Sequence, residues 1–328
     1  MKKNVQDIIA AQIHADRGAD NQAGRIYFAN ESRFNATHLS TALTGFIVGW
    51  TDPNNIEALL ERIAPAVPAG RFFSYRLMDN NEFLLSETDD DLRAIGADFK
   101  RVAYKGTTAE AKTDNRGLTI RIDLDEDEDS DALRQAYTEL LMQRLNRNRL
   151  RRAVALIDAA ATNAAASFTG NTNPDGLVRA MVNAGRDAAG VKPTKVLFGD
   201  TAWQYRLDAY EAKANSAAAD AALARDEAGL ARYLGVQDVV HVEAQYQSAA
   251  ATKAMIVGAA VYGYYAESGL TKMDPSNVKR FVSNTRAGSR VAVYAEEHPK
   301  YVDITVECYE RTIICATAGM RKLTVANA

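Results

Sequence analysis

The clearest hydrophobic pattern in this chain is a strict alternation of apolar and polar residues over 118–124. Leu118, Ile120, Ile122 and Leu124 are apolar and the residues between them are polar. A period of two is typical of a strand with one buried face. A second strand is predicted over 72–77, where aromatic residues dominate. The two predicted strands are therefore far apart along the chain.

The segment between these strands, residues 78–117, is rich in charge and poor in large apolar side chains. Such a segment cannot bury much surface by itself, and long loops inside compact domains are uncommon and usually functional. The pattern predicts a long two-stranded arm over 71–124, bracketed by strands at 72–77 and 118–124, that packs on a neighbouring copy of the chain.

The longest predicted helix follows the arm. Its apolar residues fit one broad face: Leu133, Tyr137, Leu140, Leu141, Leu145, Val154, Ile157 and Ala161. Neither Pro nor Gly occurs from Ala132 to Phe168, so we expect one continuous helix over about 129–168. Carboxylates cluster in the run 123–131, which includes Asp127 and Asp129, because the dipole at a helix start favours negative charge.

The rest of the chain comprises a polar N-terminal segment, an α/β lobe and a strand-rich end. Residues 1–30 are predicted to be an arm that lacks its own core. A short helix is expected from Pro53, and helices alternate with strands over 177–277. The final strands are expected at 278–282, 290–295, 301–309 and 312–316. The alternation over 301–309 predicts one buried and one solvated face.

The composition of the chain disfavours several classes of function. The 328 residues carry a net charge of −3, whereas general nucleic-acid binders usually show a basic excess. No stretch approaches the ~20 apolar residues that cross a bilayer, so no membrane partner is expected. Polar residues interrupt the start of the chain, so the continuous apolar run of a signal peptide is missing. We therefore expect the chain to stay in the cytosol. Cys308 and Cys315 are expected to be buried, unpaired and metal-free.

We find no motif that points to catalysis or to a cofactor. The turn at Gly199-Asp200-Thr201 is explained if Asp200 or Thr201 caps the following helix. His241 lies in an apolar strand and is predicted to be a satisfied core or edge histidine. The acidic run 123–131 lacks the ligand spacing and the Gly of an EF-hand loop. The sequence therefore predicts no catalytic, cofactor or metal residues, and no enzyme.

A basic band lies along the long helix. Arg144, Arg147 and Arg151 share one face by their spacing of three and four residues. This face is either solvated or in contact with a neighbouring subunit, and direct contact with DNA is the weaker alternative. The candidates for subunit contact are Arg144, Arg147, Arg151, Asp127, Asp129, Lys100, Arg101 and Lys105.

The order of these parts resembles the major capsid proteins of tailed bacteriophages, whose Hong-Kong-type capsid fold is also used by encapsulin shells. The local sequences are similar too: residues 193–203 resemble the step from strand to Trp-bearing helix in the axial domain of these proteins, and residues 290–306 resemble their late strands. The resemblance covers nearly the whole chain and rests mainly on element order, which is an analogy at the level of the fold.

The resemblance implies an α+β fold with an N-terminal arm, an extended β-hairpin called the E-loop, a peripheral domain with a long spine helix, and an α/β axial domain. The implied boundaries are 1–70 for the arm and short helix, 71–124 for the E-loop, 125–176 for the spine helix, 177–277 for the axial domain, 278–311 for peripheral strands and 312–328 for a return to the axial domain.

The implied function is a major capsid protein that assembles into hexamers and pentamers of an icosahedral virion shell in the bacterial host cytoplasm. Implied partners are further copies of the chain, portal, scaffolding and decoration proteins, and packaged double-stranded DNA through non-specific inner-face contacts. The N-terminal segment is short, so scaffolding is a separate protein or absent, and nothing marks a lysine as reactive in cross-linking. The alternatives are an encapsulin-like compartment shell and an α/β enzyme with an unrecognised site.

Overall fold

A computed structural model describes residues 38–77, 92–93, 95–96, 98–99, 101, 107–125, 129–213, 217–249, 251–269 and 274–327. The chain divides into two units, Met1–Leu39 and Ser40–Ala328, and every helix and strand given below belongs to the second unit. The arm predicted for residues 1–30 lies outside the described residues.

The helices are α1 (Thr41–Gly49), α2 (Ile56–Ile63), α3 (Asp131–Ala160), α4 (Pro174–Ala189), α5 (Asp200–Glu211), α6 (Ala217–Leu223) and α7 (Glu227–Leu234). The strands are β1 (Ala66–Pro68), β2 (Phe72–Leu77), β3 (Thr107–Lys112), β4 (Asp114–Asp123), β5 (Thr162–Ser167), β6 (Lys195–Gly199), β7 (Asp238–Val242), β8 (Gln245–Ala249), β9 (Thr252–Met255), β10 (Ala260–Tyr264), β11 (Val278–Ser283), β12 (Val291–Glu297), β13 (Tyr301–Ile314) and β14 (Arg321–Ala326). The predicted mixture of helices and strands is confirmed.

The first sheet is organised around the long strand β13. One edge of β13 pairs with β4 over ten residues, and the other edge pairs first with β12 and then with β11. The short strand β1 extends this sheet in parallel to β11. Apolar residues of β4, β12 and β13 pack against the first half of α3, where Leu141 and Leu145 are buried.

The second sheet has the order β5-β14-β10-β6-β7. Strands β6, β7 and β10 are mostly buried because helices cover both faces, whereas most of β5 is exposed. Leu197, Val240 and Tyr262 face the second half of α3 and α2, whereas Val196 and Phe198 face the helices α4, α5 and α7. The last strand, β14, pairs with β5 and β10. The end of the chain therefore lies in the lobe sheet.

Helix α3 joins the cores of the two sheets. Ser130 caps the start of the helix by accepting a hydrogen bond from the backbone N–H of Leu133 at 3.3 Å, as an N-cap serine commonly does. Its 30 residues span roughly 45 Å at the usual helical rise. One stripe of apolar residues therefore contacts the first sheet near the start of the helix and the second sheet near its end.

The predicted pairing of the arm is wrong in one respect. Phe72–Leu77 pairs with Thr107–Lys112, from Phe72 opposite Lys112 to Leu77 opposite Thr107. Residues 118–123 of the alternating segment lie instead within β4 and pair with β13, and residue 124 follows the strand. The alternation correctly predicted a strand but could not identify its partner, because pairing is decided by the tertiary contacts of both faces.

The long helix is shorter than predicted. It ends at Ala160, and residues 162–167, expected to be helical, form β5 parallel to β14. No Pro or Gly marks this boundary, and the Ala-rich sequence 159–166 favours a helix locally. The backbone N–H of Thr162 instead donates to Met320 O at 3.1 Å, so pairing at the sheet edge outweighs local propensity. Likewise, the helix expected from Pro53 begins only at Ile56.

The strand β13 does not have the predicted solvated face. Asp303, Glu307 and Tyr309 are all buried, as are the apolar residues that alternate with them. Arg121 donates two hydrogen bonds to the Asp303 carboxylate, at 2.8 and 3.0 Å, and Tyr294 donates to Glu307 at 2.8 Å. The polar face is buried because neighbouring strands supply partners for each acid.

A close backbone approach makes Gly199 a strict requirement at the end of β6. A Cβ atom added at Gly199 would lie 1.9 Å from Gly258 O and 2.8 Å from Val257 O. We expect Gly199→Ala to destabilise the chain by about 3 kcal/mol, at the upper end for overpacking. Gly258→Ala is the matched control, because a Cβ there meets no atom within 4 Å. Thermal melting of both variants tests this, and equal midpoints would contradict it.

Candidate assembly surface

The root of the arm is anchored on the first sheet. The ring of Phe73 in β2 lies 4.2 Å from that of Phe281 in β11, and the ring of Tyr75 lies 5.8 Å from it. The backbone N–H of Thr113 donates to Arg71 O at 2.9 Å. These contacts fix the direction in which the β2–β3 hairpin leaves the sheet.

The described residues beyond this root expose large apolar side chains. Leu92, Ile95 and Phe99 have between 69 and 104 % of their surface exposed. Arg101 is exposed nearby in sequence, whereas Lys100 and Lys105 lie outside the described residues. We call Leu92, Ile95 and Phe99 the arm patch. Exposed apolar clusters on soluble proteins commonly mark surfaces that bind a partner.

The three arginines predicted to share one face of α3 have different surroundings. Arg144 is exposed, and Leu140, one turn earlier, is 51 % exposed rather than buried as predicted. The Arg151 guanidinium lies 3.7 Å from the centre of the Tyr246 ring. Arg147 is half-buried and lines a cleft beside Glu243. Arg144 and Arg151 are therefore exposed, and Arg144 lies beside the exposed side chain of Leu140.

The acidic start of α3 is partly neutralised within the chain. Arg134 Nε donates to Asp129 Oδ1 at 2.7 Å, and Arg134 also donates to Glu297 at 2.9 Å. The hydrogen bond from Arg134 lowers the pKa of the Asp129 carboxyl. Asp127 lies outside the described residues. Asp129 thus has an intramolecular partner, so any subunit contact it makes would have to include Arg134.

The same basic band supplies a buried ionic network that the sequence did not reveal. Arg149 is buried and donates from Nε to Glu310 Oε2 at 2.7 Å. Arg280 of β11 is also buried and lies 3.5 Å from the same oxygen, while it bonds to Glu61 of α2. Arg152 lies 3.5 Å from the other Glu310 oxygen. This network, which we call the Glu310 cluster, joins α3, α2, β11 and β13.

The Glu310 cluster is held in its charged form. Burial alone would raise the pKa of the Glu310 carboxyl, but Arg149 and Arg280 outweigh burial, so its pKa lies below the ordinary value. Burial lowers the pKa of Arg280, and Arg149 adds to this effect by repulsion. The two guanidinium groups therefore depend on Glu310 as their shared counter-ion.

The prediction that the two cysteines are buried and unpaired is confirmed. Cys308 and Cys315 are both free and buried, and burial raises the pKa of each thiol to about 11. The thiolate is the reactive form of cysteine, so both side chains act as small apolar groups at neutral pH.

The turn from β6 into α5 differs from the prediction. The cap residue is Gly199, which offers no side-chain hydrogen bond, so neither Asp200 nor Thr201 caps the helix. The Asp200 carboxylate instead lies 3.1 Å from Nε2 of His241, whose ring stacks on Trp203 at 5.1 Å. The carboxyl ends of neighbouring parallel strands lie at the same edge of a sheet. This rule could have predicted from the sequence that Asp200 and His241 lie close together.

The comparison with solved structures identifies the fold. No protein-family model and no curated protein matches the sequence. Among solved structures, a phage-related protein from Bordetella bronchiseptica RB50 is similar, with a TM-score of 0.60, 13% identity, and coverage of 87% of this chain and 96% of that one. The capsid structure of the cyanophage P-SCSP1u is also similar, with a TM-score of 0.51, 12% identity, and coverage of 82% and 88%. This chain has the Hong-Kong-type capsid fold.

The elements can now be named within the capsid fold. The β2–β3 hairpin is the root of the E-loop, α3 is the spine helix, and the second sheet with α4, α5 and α7 corresponds to the axial lobe. The boundaries of these domains remain a prediction. In the part of the chain that the structure describes, no helix is both long and apolar enough to cross a membrane.

Proposed function

We propose that this chain is a major capsid protein that assembles into hexamers and pentamers of an icosahedral shell around phage double-stranded DNA. The capsid fold supports a shell-forming role, and the observation that carries the proposal is the arm patch on the E-loop. Leu92, Ile95 and Phe99 are exposed far beyond what a core residue tolerates. A neighbouring subunit would bury them in a closed lattice.

The E-loop cannot be stabilised by its own contacts alone. A two-stranded hairpin is marginally stable by itself in water, and its described apolar contacts concentrate at the root, on Phe281. A protein that functioned as a monomer would expose the arm patch to non-specific association. Covering the arm patch in a shell removes that cost.

Charged residues of the proposed interface would set register rather than supply most of the affinity. The contact candidates are Arg144, Arg147, Arg151, Asp127, Asp129, Lys100, Arg101 and Lys105. Of these, Arg144, Arg151 and Arg101 are exposed and suit contacts with carboxylates of a neighbour. Mismatched charges penalise incorrect docking, so such contacts suit an assembly that forms reversibly before it closes.

The other partners follow from the same proposal. Portal, scaffolding and decoration proteins would bind the shell, and the packaged DNA would meet its inner face through non-specific contacts. The net charge of −3 suits this role, because a strongly basic inner surface would hold the DNA tightly. Assembly would take place in the bacterial host cytoplasm, and the finished protein would be part of the virion.

The test compares the full chain with an arm-patch variant that carries Leu92→Ser, Ile95→Ser and Phe99→Ser. We expect the unchanged protein to form hollow particles or ring-shaped capsomers by electron microscopy and light scattering. The variant should keep the circular dichroism of the folded chain and remain monomeric, because only the docking surface has changed.

The matched control is Val48→Ser, which removes an exposed apolar side chain of α1 outside the E-loop and should assemble normally. Assembly of the arm-patch variant at the unchanged rate would contradict the proposal. The contents of particles purified from cells separate the two kinds of shell: nuclease-protected double-stranded DNA supports a phage capsid, and a protein cargo supports an encapsulin-like compartment.

A further inference from the structure

Three metal-binding side chains meet where β6 and β7 end. The two strands are parallel, and Gly199 pairs with Val242, so Asp200 and Glu243, which follow them, lie at the same edge of the sheet. His241 is the penultimate residue of β7. Its Nε2 lies 3.1 Å from Asp200 Oδ1, and its Nδ1 lies 3.6 Å from Glu243 Oε1. Each residue offers one ligand atom, and the three atoms lie within 4.8 Å of one another.

The imidazole of His241 is held in place before any ligand binds. Its ring stacks on Trp203 at 5.1 Å with an angle of 19° between the planes. The backbone N–H of His241 donates to Glu227 Oε1 at 3.3 Å. A fixed ring loses little conformational freedom on binding, and that raises the affinity of a small site. Glu243 lies beside the other ring nitrogen, Nδ1, so its side chain, which is 77% exposed, has to swing toward Nε2 to share one ion with Asp200.

A cleft gives this cluster access to solvent. It has a volume of about 630 Å³ and is lined by residues that include His241, Glu243, Glu227 and Arg62. Arg62 is neutralised by Asp238 at 2.8 Å and by Glu227 at 2.7 Å, which leaves Arg147 as the cation that lines the cleft beside Glu243. Water from the cleft can occupy the coordination positions that the protein leaves open.

We propose that Asp200, His241 and Glu243 bind a divalent transition-metal ion of the Zn²⁺ class. One imidazole and two carboxylates suit Zn²⁺, Mn²⁺ or Co²⁺, whereas Ca²⁺ and Mg²⁺ prefer oxygen ligands alone. Ligand bonds to Zn²⁺ are about 2.0–2.2 Å long, so the Asp200–His241 separation already fits one edge of a coordination shell. The bound ion would join the start of α5 to the segment that follows β7.

The test is a titration of the purified full chain with Zn²⁺ by calorimetry and with Co²⁺ by visible absorption. We expect one saturable site in which Co²⁺ shows the absorption bands of a protein-bound ion. Zn²⁺ at 100 times its dissociation constant should raise the melting midpoint by about 4 °C. Glu243→Gln should weaken Zn²⁺ binding at least tenfold, and His241→Ala should abolish it.

The controls separate this site from loss of folding and from binding elsewhere. Glu243 is exposed, so Glu243→Gln leaves the fold intact even if His241→Ala disturbs the stack on Trp203. His298→Ala is the matched histidine control, because His298 has a carboxylate partner, Glu296, at 3.2 Å and an aromatic neighbour, Tyr301. Absence of saturable binding, equal binding by Glu243→Gln and the unchanged chain, or an equal loss in His298→Ala would each overturn the proposal.

Discussion

Replacing Glu310 by Gln should lower the free energy of unfolding by about 3–5 kcal/mol, the range for removing one partner of a buried ionic group. Glu310 is the shared counter-ion of Arg149 and Arg280, both of which are buried. A neutral amide would leave Arg149 with only Glu57, at 3.8 Å, and Arg280 with only Glu61 as a carboxylate partner. Urea unfolding of the unassembled chain at neutral pH measures the loss.

The matched control is Glu297→Gln, which breaks an exposed pair with Arg134 and should cost about 0–1 kcal/mol. A loss for Glu310→Gln no larger than that of the control would contradict the assigned role of the Glu310 cluster.

The difference between the unchanged chain and Glu310→Gln should also depend on pH. The pKa of Glu310 is lower in the folded chain than its ordinary value of 4.5. Its stabilisation is therefore complete above that ordinary value and is lost as the pH falls through the lowered folded pKa. The gap between the two proteins should shrink below about pH 4. A gap that stays constant across this acidic range would show that the charge of Glu310 is not what stabilises the fold.

Replacing Asp175 by Asn should produce a loss of similar size in the axial lobe, again about 3–5 kcal/mol. Asp175 lies in the first turn of α4 and accepts hydrogen bonds from Arg206 Nε at 2.6 Å and from Arg225 Nη1 at 2.7 Å. Arg206 is fully buried, and it also donates to Ala222 O at 2.9 Å. The carboxylate therefore ties α4 to α5 and to the segment after α6.

The control for this prediction is Asp187→Asn in the same helix. Asp187 is exposed and pairs with its neighbour Arg186 at 2.7 Å, so its loss should be within the range of a surface pair. Hydrogen exchange of amides in α5 and α6 should accelerate in Asp175→Asn and remain unchanged in Asp187→Asn. Unchanged exchange in both variants would contradict the role of Asp175 as the anchor of these helices.

The spine helix shows which features of the fold the local sequence pattern can predict. Its start, its apolar stripe and its length of several turns follow from the spacing of residues such as Leu141, Leu145 and Ile157. Its end does not follow, because residues 162–167 have no local signal that disfavours a helix. They become β5 only because β14, from the other end of the chain, offers a partner.

The burial of the arginines in the basic band is a second feature that the sequence pattern could not predict. Arg144 and Arg149 belong to one short polar stretch of sequence, yet Arg144 is exposed and Arg149 is buried. Helical periodicity gives the angle of each side chain around the helix axis, but it does not predict where a buried partner such as Glu310 lies. A charge is stable in the core only with such a partner, so only the tertiary structure identifies it.

The sequence by itself determined the order of elements, the presence of a charged arm between strands, and the capsid fold that this order resembles. Periodicity and turn residues act over a few positions, and they are sufficient for that outline. The tertiary structure alone decided the partner of each strand, the end of the spine helix, the Glu310 cluster and the meeting of Asp200, His241 and Glu243. Each of these joins residues distant in sequence, and their contacts depend on the packing of both sheets, which no local pattern encodes.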